Sequence, residues 1–233
     1  MSNKIIPKGR KNLPQQLINF GRHLIYSEGT KTEPNYVENI KKLIAKKYNV
    51  HPNDVEIVKG NKKSNNTIHL VNDALKDVKK RLKNNEIINH VWIFFDKDDF
   101  PIEDFNEACR KLERINNSKD KNDDGFNYET KTDITYHACY SNEAFELWLC
   151  LYFGYIHAAL GRKQLIEYLD DKLTPYGYEY GKNIENIHDI LECVGGKLEK
   201  AIIYAKKLEV NINKNPSTTV HNFIEYFKPY FKS

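Results

Sequence analysis

The sequence predicts an α/β fold, a parallel sheet flanked by helices and followed by a C-terminal helical region. Three observations predict it. Strand-like and helix-like segments alternate up to about residue 153, the spacing of βαβ units. The run Val91-Trp92-Ile93-Phe94-Phe95 is apolar at every position, as in a strand covered on both faces. Beyond residue 154 helical spacing continues without strands.

Each element has its own signal. Residues 1–20 carry Lys4, Lys8, Arg10 and Lys11 with Pro7 and Pro14, a basic arm ahead of the first strand. The strand 23–27 stops at Gly29, which supplies a sharp turn, and Thr32 and Pro34 suit the start of a helix over 35–48. A strand at 54–59, a helix at 66–84 and a strand at 90–96 follow. Asp99 and Pro101 fit the opening of a helix over 102–116. Residues 116–131 are polar and charged, an exposed loop. A strand at 133–140 leads into a helix at 142–153, with Ser141 or Asn142 as cap and Glu143 in the first turn. Helical spacing returns at 164–169, 187–194, 197–208 and 220–231. The expected organisation is an arm at 1–20, an α/β core at 21–154 and a helical region at 155–233 packed on the core.

With 233 residues, 40% of them hydrophobic, and 15 tyrosines and 11 phenylalanines, the chain can bury a sizeable core. A net charge of +4 permits nucleic-acid binding without demanding it. Cys109, Cys139, Cys150 and Cys193 are widely spaced, with no zinc-ligand pattern, which points to a reduced, cytoplasmic protein. No leading apolar segment and no run of roughly 18 to 20 apolar residues is present, so neither secretion nor membrane insertion is expected.

Chemistry concentrates where strands end. Asp96 closes the apolar run, and Asp98 and Asp99 follow. Ligands bind beyond the carboxyl ends of the strands in open α/β sheets, and residues two apart on a strand project to one side, so Asp96 and Asp98 could hold Mg²⁺. Asp99 is better read as a helix cap. Glu28 ends the first strand, whereas Glu33, in a first helical turn, has an ordinary role opposite the helix dipole. Glu146 lies among Phe145, Leu147, Trp148 and Leu149, where a carboxylate needs a metal, a cation or backbone donors. His23, His137 and His221 could be ligands but sit on apolar elements, where hydrogen-bonded core histidines are the rule.

Four segments together carry a resemblance. They are Ser27-Glu28-Gly29-Thr30-Lys31-Thr32-Glu33-Pro34-Asn35-Tyr36, Phe95-Asp96-Lys97-Asp98-Asp99-Phe100, Ser141-Asn142-Glu143-Ala144-Phe145-Glu146-Leu147-Trp148 and Asn215-Pro216-Ser217-Thr218-Thr219-Val220-His221. Over residues 20–230 the chain resembles the RloB-like family of restriction-linked and abortive-infection loci. The resemblance implies a Toprim/Rossmann-like sheet and a Mg²⁺-dependent (or Mn²⁺-dependent) nuclease. Glu28 would match the Toprim glutamate, acting in acid/base chemistry or as a metal ligand. Asp96 and Asp98 would match the metal-holding Asp-x-Asp pair, Glu33 the second acid of nuclease-type Toprim domains, and Glu146 a family motif of undetermined role, here a further metal ligand. The implied partners are nucleic acid, DNA or RNA including transfer RNA, and an AAA/ABC-like ATPase.

Phosphodiester cleavage needs charge neutralisation on the phosphate and an activated water, which Mg²⁺ ions supply through carboxylate ligands. A lysine would stabilise developing charge, with Lys182 as the candidate and Lys31 and Lys97 competing. Basic clusters at 41–47, 59–63 (with Lys62 and Lys63) and 79–83 suit a phosphate backbone, or form exposed helix faces. Tyr176, Tyr178 and Tyr180, in a Pro/Gly loop, are expected at a surface for the ATPase or a second copy. The competing expectation is a non-catalytic binding subunit that keeps the fold.

Overall fold

The computed structural model describes residues 16–51, 53–58, 67–97, 101–118, 126–127, 132–208 and 214–232. In chain order the strands are β1 (Gln16–Leu17), β2 (His23–Ser27), β3 (Tyr48–Asn49), β4 (Val55–Ile57), β5 (His90–Asp96), β6 (Phe126–Asn127), β7 (Thr132–Asp133), β8 (Thr135–Asn142) and β9 (Ser217–Thr218). The helices are α1 (Thr32–Ala45), α2 (Thr67–Lys83), α3 (Ile102–Asn117), α4 (Glu146–Cys150), α5 (Arg162–Leu173), α6 (Ile187–Cys193), α7 (Leu198–Leu208) and α8 (Val220–Phe231). One five-stranded sheet has the order β4-β2-β5-β8-β9; its first four strands are parallel and β9 runs antiparallel. Among the described residues no helix is long and apolar enough to cross a membrane.

The period-two alternation of β5 divides the core. Val91, Ile93 and Phe95 pack with α2 and α3, while Trp92 and Phe94 pack with α1 and with α4 to α8. Burying such side chains contributes about 1.5–3 kcal/mol each, which explains why this strand is central. Leu24 and Tyr26 of β2 follow one face and Ile25 the other. Asp96 has the parity of Trp92 and Phe94, so its carboxylate belongs to the face covered by α1, α4 and α5. Phe20, within the expected basic arm, is buried against Phe227; residues 1–15 lie outside the described residues.

Four elements differ from expectation: the helix expected over 142–153 is only Glu146–Cys150, β6 lies within the loop expected at 116–131, and two more differences have local causes. α1 starts at Thr32 because a first helical turn accepts Pro34, and it ends at Ala45 because Tyr48 and Asn49 pair with Gln16 and Leu17. The second of these two is β8, which continues through Asn142 and leaves Ser141 and Asn142 as strand residues, not caps. Its partner is β9, a strand the sequence did not announce, with Ser141 opposite Thr218 and Asn142 opposite Ser217. Thr219 extends this edge with its side chain. Its hydroxyl donates to Ala138 O (2.7 Å) and accepts from Tyr140 N–H (3.0 Å), while Thr218 Oγ1 donates to Tyr140 O (2.9 Å). The Asn215–His221 motif is thereby a clasp along the edge of β8. Replacing Thr219 by Val leaves two backbone groups without these bonds and is expected to lower stability by about 2 kcal/mol, with Thr219→Ser close to wild type, in urea unfolding.

At the amino edge, opposite Asp96, lies a column of histidines. Trp92 Nε1–H donates to His23 Nδ1 (3.0 Å), so the His23 proton sits on Nε2, toward Phe20 O at 2.9 Å. His90 Nδ1 and His137 Nε2 are 3.2 Å apart, His137 stacks on Trp92 at 3.7 Å, and the Tyr226 hydroxyl lies 3.1 Å from His90 Nε2. Burial pushes His23 and His137 down to about 3 and lowers His90. The unfolded chain takes up these protons near 6.5 and the folded protein does not until about 3, so this contribution falls as pH drops through that window. The slope is about 1.4 kcal/mol per pH unit per histidine at most. His137→Phe is therefore expected to lose about 1–2 kcal/mol less than wild type between pH 7.5 and pH 5, read from urea midpoints at each pH.

Candidate functional site

Three helices begin at the carboxyl edge on the face to which Asp96 points, and each brings a charged group. α1 brings Glu33 in its first turn, α4 starts with Glu146, and α5 starts with Arg162. With Glu28, just beyond β2, they line one cavity of about 310 Å³. Lys31 and Lys182 stand exposed at its walls, and Gly29, Thr30, Thr32 and Phe145 complete it.

Arg162 Nη2 is 2.6 Å from Asp96 Oδ2, and its Nε is 3.8 Å from Glu146 Oε2. The Tyr180 hydroxyl donates to Glu146 Oε1 at 3.0 Å, and burial, with Glu146 beside it, holds that phenol protonated. Burial lifts the Asp96 carboxyl well above its ordinary range; Glu33 adds to the rise, Arg162 opposes it, and Glu146 and Glu28 add again. Glu33 is pushed up to about 7, chiefly by burial, with Glu146 and Glu28 raising it and its own backbone N–H and Arg162 lowering it. Four carboxyl groups around one guanidinium cannot all ionise freely in a partly dry cavity, and Asp96 and Glu33 are the two driven toward their neutral forms.

The donor chemistry suits a hard divalent cation, since the acids offer oxygen alone. Among the described residues no three acids are gathered as a ready metal-ligand group, and a guanidinium rests on Asp96. Glu28, Glu33, Asp96, Glu146, Lys31 and Lys182, all read from the sequence as site residues, come together at this cavity. Lys97 does not line it; its backbone N–H donates to Ser141 O. Asp98, Lys62 and Lys63 lie outside the described residues.

Sequence reasoning missed Arg162 and misread Tyr180. Arg162 carried one signal: α5 opens on Arg162 and Lys163 with no acid in its first turn, the unfavourable sign for a helix N-terminus unless an anion is near. Tyr180, expected at a surface, is buried, with its N–H bonded to Asp170 Oδ1 at 2.7 Å. Tyr176 and Tyr178 are exposed, at 60% and 38%.

A family model described as RloB-like protein matches residues 23–227. The chain belongs to the RloB-like family. No curated protein and no solved structure matches it. The matched span takes in the whole five-stranded sheet and each helix that contributes to the cavity.

Gly29 tests the geometry of this RloB-like site. A Cβ there would overlap Glu33 Oε2, the far end of a flexible side chain. Gly29→Ala is therefore expected to change stability by less than about 1 kcal/mol while moving the Glu33 carboxylate, seen by NMR as a shift of its titration away from about 7.

Proposed function

We propose that this RloB-like chain is a Mg²⁺-dependent, Toprim-type nuclease that cleaves phosphodiester bonds of DNA or RNA as the effector of a bacterial anti-phage system. The observation that carries the reading is the meeting of Glu28, Glu33, Asp96 and Glu146 in one cavity at the carboxyl edge of a parallel sheet. The Toprim assignment rests on the positions of Glu28, just beyond β2, and Asp96, at the end of β5.

Glu28, Asp96 and Glu146 would hold the ion, with Asp98 the fourth acid of the sequence pattern. Bound Mg²⁺ neutralises phosphate charge and lowers the pKa of a coordinated water. Glu33, pushed up to about 7, is suited to exchange a proton at neutral pH, the property a general acid or base needs. Lys31 and Lys182 supply positive charge to a phosphodiester entering the cavity. An AAA/ABC-like ATPase as partner and a cytoplasmic setting complete the proposal; the four cysteines, all free thiols, agree with a reducing compartment.

The second reading, a non-catalytic nucleic-acid- or ATPase-binding subunit, is favoured by one observation: Asp96 already has a cationic partner in Arg162. Purified protein, with the ATPase, incubated with plasmid, single-stranded DNA and transfer RNA separates the two. The nuclease reading expects cleavage that needs Mg²⁺ or Mn²⁺ and falls at least about 100-fold in Asp96→Asn, whose stability stays within about 1 kcal/mol of wild type. Equal cleavage by Asp96→Asn, or none by either protein on any of these substrates, favours the binding subunit.

A further inference from the structure

We infer that Arg162 is a displaceable counter-cation built into the site, which pairs with Asp96 until a divalent cation takes its place. The inference rests on the reading of the acids as metal ligands and adds a residue that the acidic motifs do not contain.

The position of Arg162 argues for it. It is the first residue of α5, where the helix dipole is positive, and Lys163 beside it adds a second cation. A cation there is disfavoured by its own helix, so it is held by what faces it: Asp96 at 2.6 Å and Glu146 at 3.8 Å. Its side chain is 31% exposed, against 11% for Asp96 and 3% for Glu146. Although Nε itself is buried, a side chain with about a third of its surface in solvent can swing its guanidinium out of the pair without opening the core; the carboxylates cannot. Glu146 does not depend on Arg162 alone, since Tyr180 donates to its other oxygen at 3.0 Å. Asp96 is the group whose charge Arg162 offsets most closely. Both cations compete for the same oxygens, so the guanidinium weakens metal binding by the strength of its own pairing. In exchange it keeps the buried acids compensated when metal is scarce.

The test measures Mn²⁺ affinity by titration calorimetry in wild type, Arg162→Met and Arg162→Lys, with thermal unfolding of each in EDTA and in saturating Mn²⁺. Arg162→Met removes the charge and keeps much of the apolar stem. The expected result is at least tenfold tighter Mn²⁺ binding by Arg162→Met, with Arg162→Lys between it and wild type. Arg162→Met should also unfold at a lower temperature than wild type in EDTA, a difference that closes in Mn²⁺. A merely structural arginine would lower stability in both media and leave metal affinity equal or weaker. Wild type and Arg162→Met binding Mn²⁺ equally well would overturn the role of Arg162 and leave the metal reading standing. No Mn²⁺ binding by any of the three would overturn both. Should Arg162→Met fail to fold, Arg162→Lys carries the comparison: affinity no tighter than wild type counts against the inference.

Discussion

Asp96 ends a strand buried on both faces, and its carboxylate turns into a cavity lined by three other acids and by Arg162. Like charges in a poorly hydrated cavity repel, and most of what surrounds them answers that repulsion. The Asp96 carboxyl and Glu33 are driven toward their protonated forms, Arg162 closes on Asp96 against the preference of its own helix, and Tyr180 presents a neutral hydroxyl to Glu146. A fold meant only for stability would place apolar groups here. That the chain gathers four carboxylates is the strongest physical reason to look for chemistry at this edge.

The same strand explains how much could be read without coordinates. A continuous apolar run marks a central strand because no polar residue interrupts either face, and its bounds, His90 to Asp96, agree with the structure. Glu28 and Asp96 were legible because each stands where a strand ends, a position defined by local sequence, whereas Glu33, opening a helix, had an ordinary role opposite the dipole and entered the site only through the family resemblance. Arg162 and Tyr180 were not legible, since they reach the site from a region 66 and 34 residues away along the chain from Asp96 and Glu146, and nothing local specifies that return. β9 escaped for another reason. Two residues cannot display a period, and its pairing is set by threonine hydroxyls instead of an apolar pattern.

The helices after residue 154 cover the Trp92 and Phe94 side of the sheet, in one apolar cluster with α1 and α4. Their register also sets the cavity, because α5 supplies Arg162 and the segment after it supplies Tyr180 and Lys182. Below them, Tyr36 and Tyr152 share a 2.7 Å hydroxyl contact, and Tyr152 lies 2.8 Å from His188 Nδ1. This buried polar chain ties α1 to α6 behind the acids, where satisfied hydrogen bonds favour a single arrangement of the helices.

The two tryptophans fall at opposite ends of this architecture. Trp92 lies in the histidine column, four residues or about 13 Å along the strand from Asp96, with its ring on His137. Trp148 follows Glu146 by two residues, with its ring edge-on to Tyr36 and Tyr152. The chain thus contains two indole fluorophores, one reporting on imidazoles and the other on the wall behind the carboxylates. Converting either indole to phenylalanine would leave a single-tryptophan protein, so that with excitation selective for indole over the tyrosines the two variants follow events at one end each without a label.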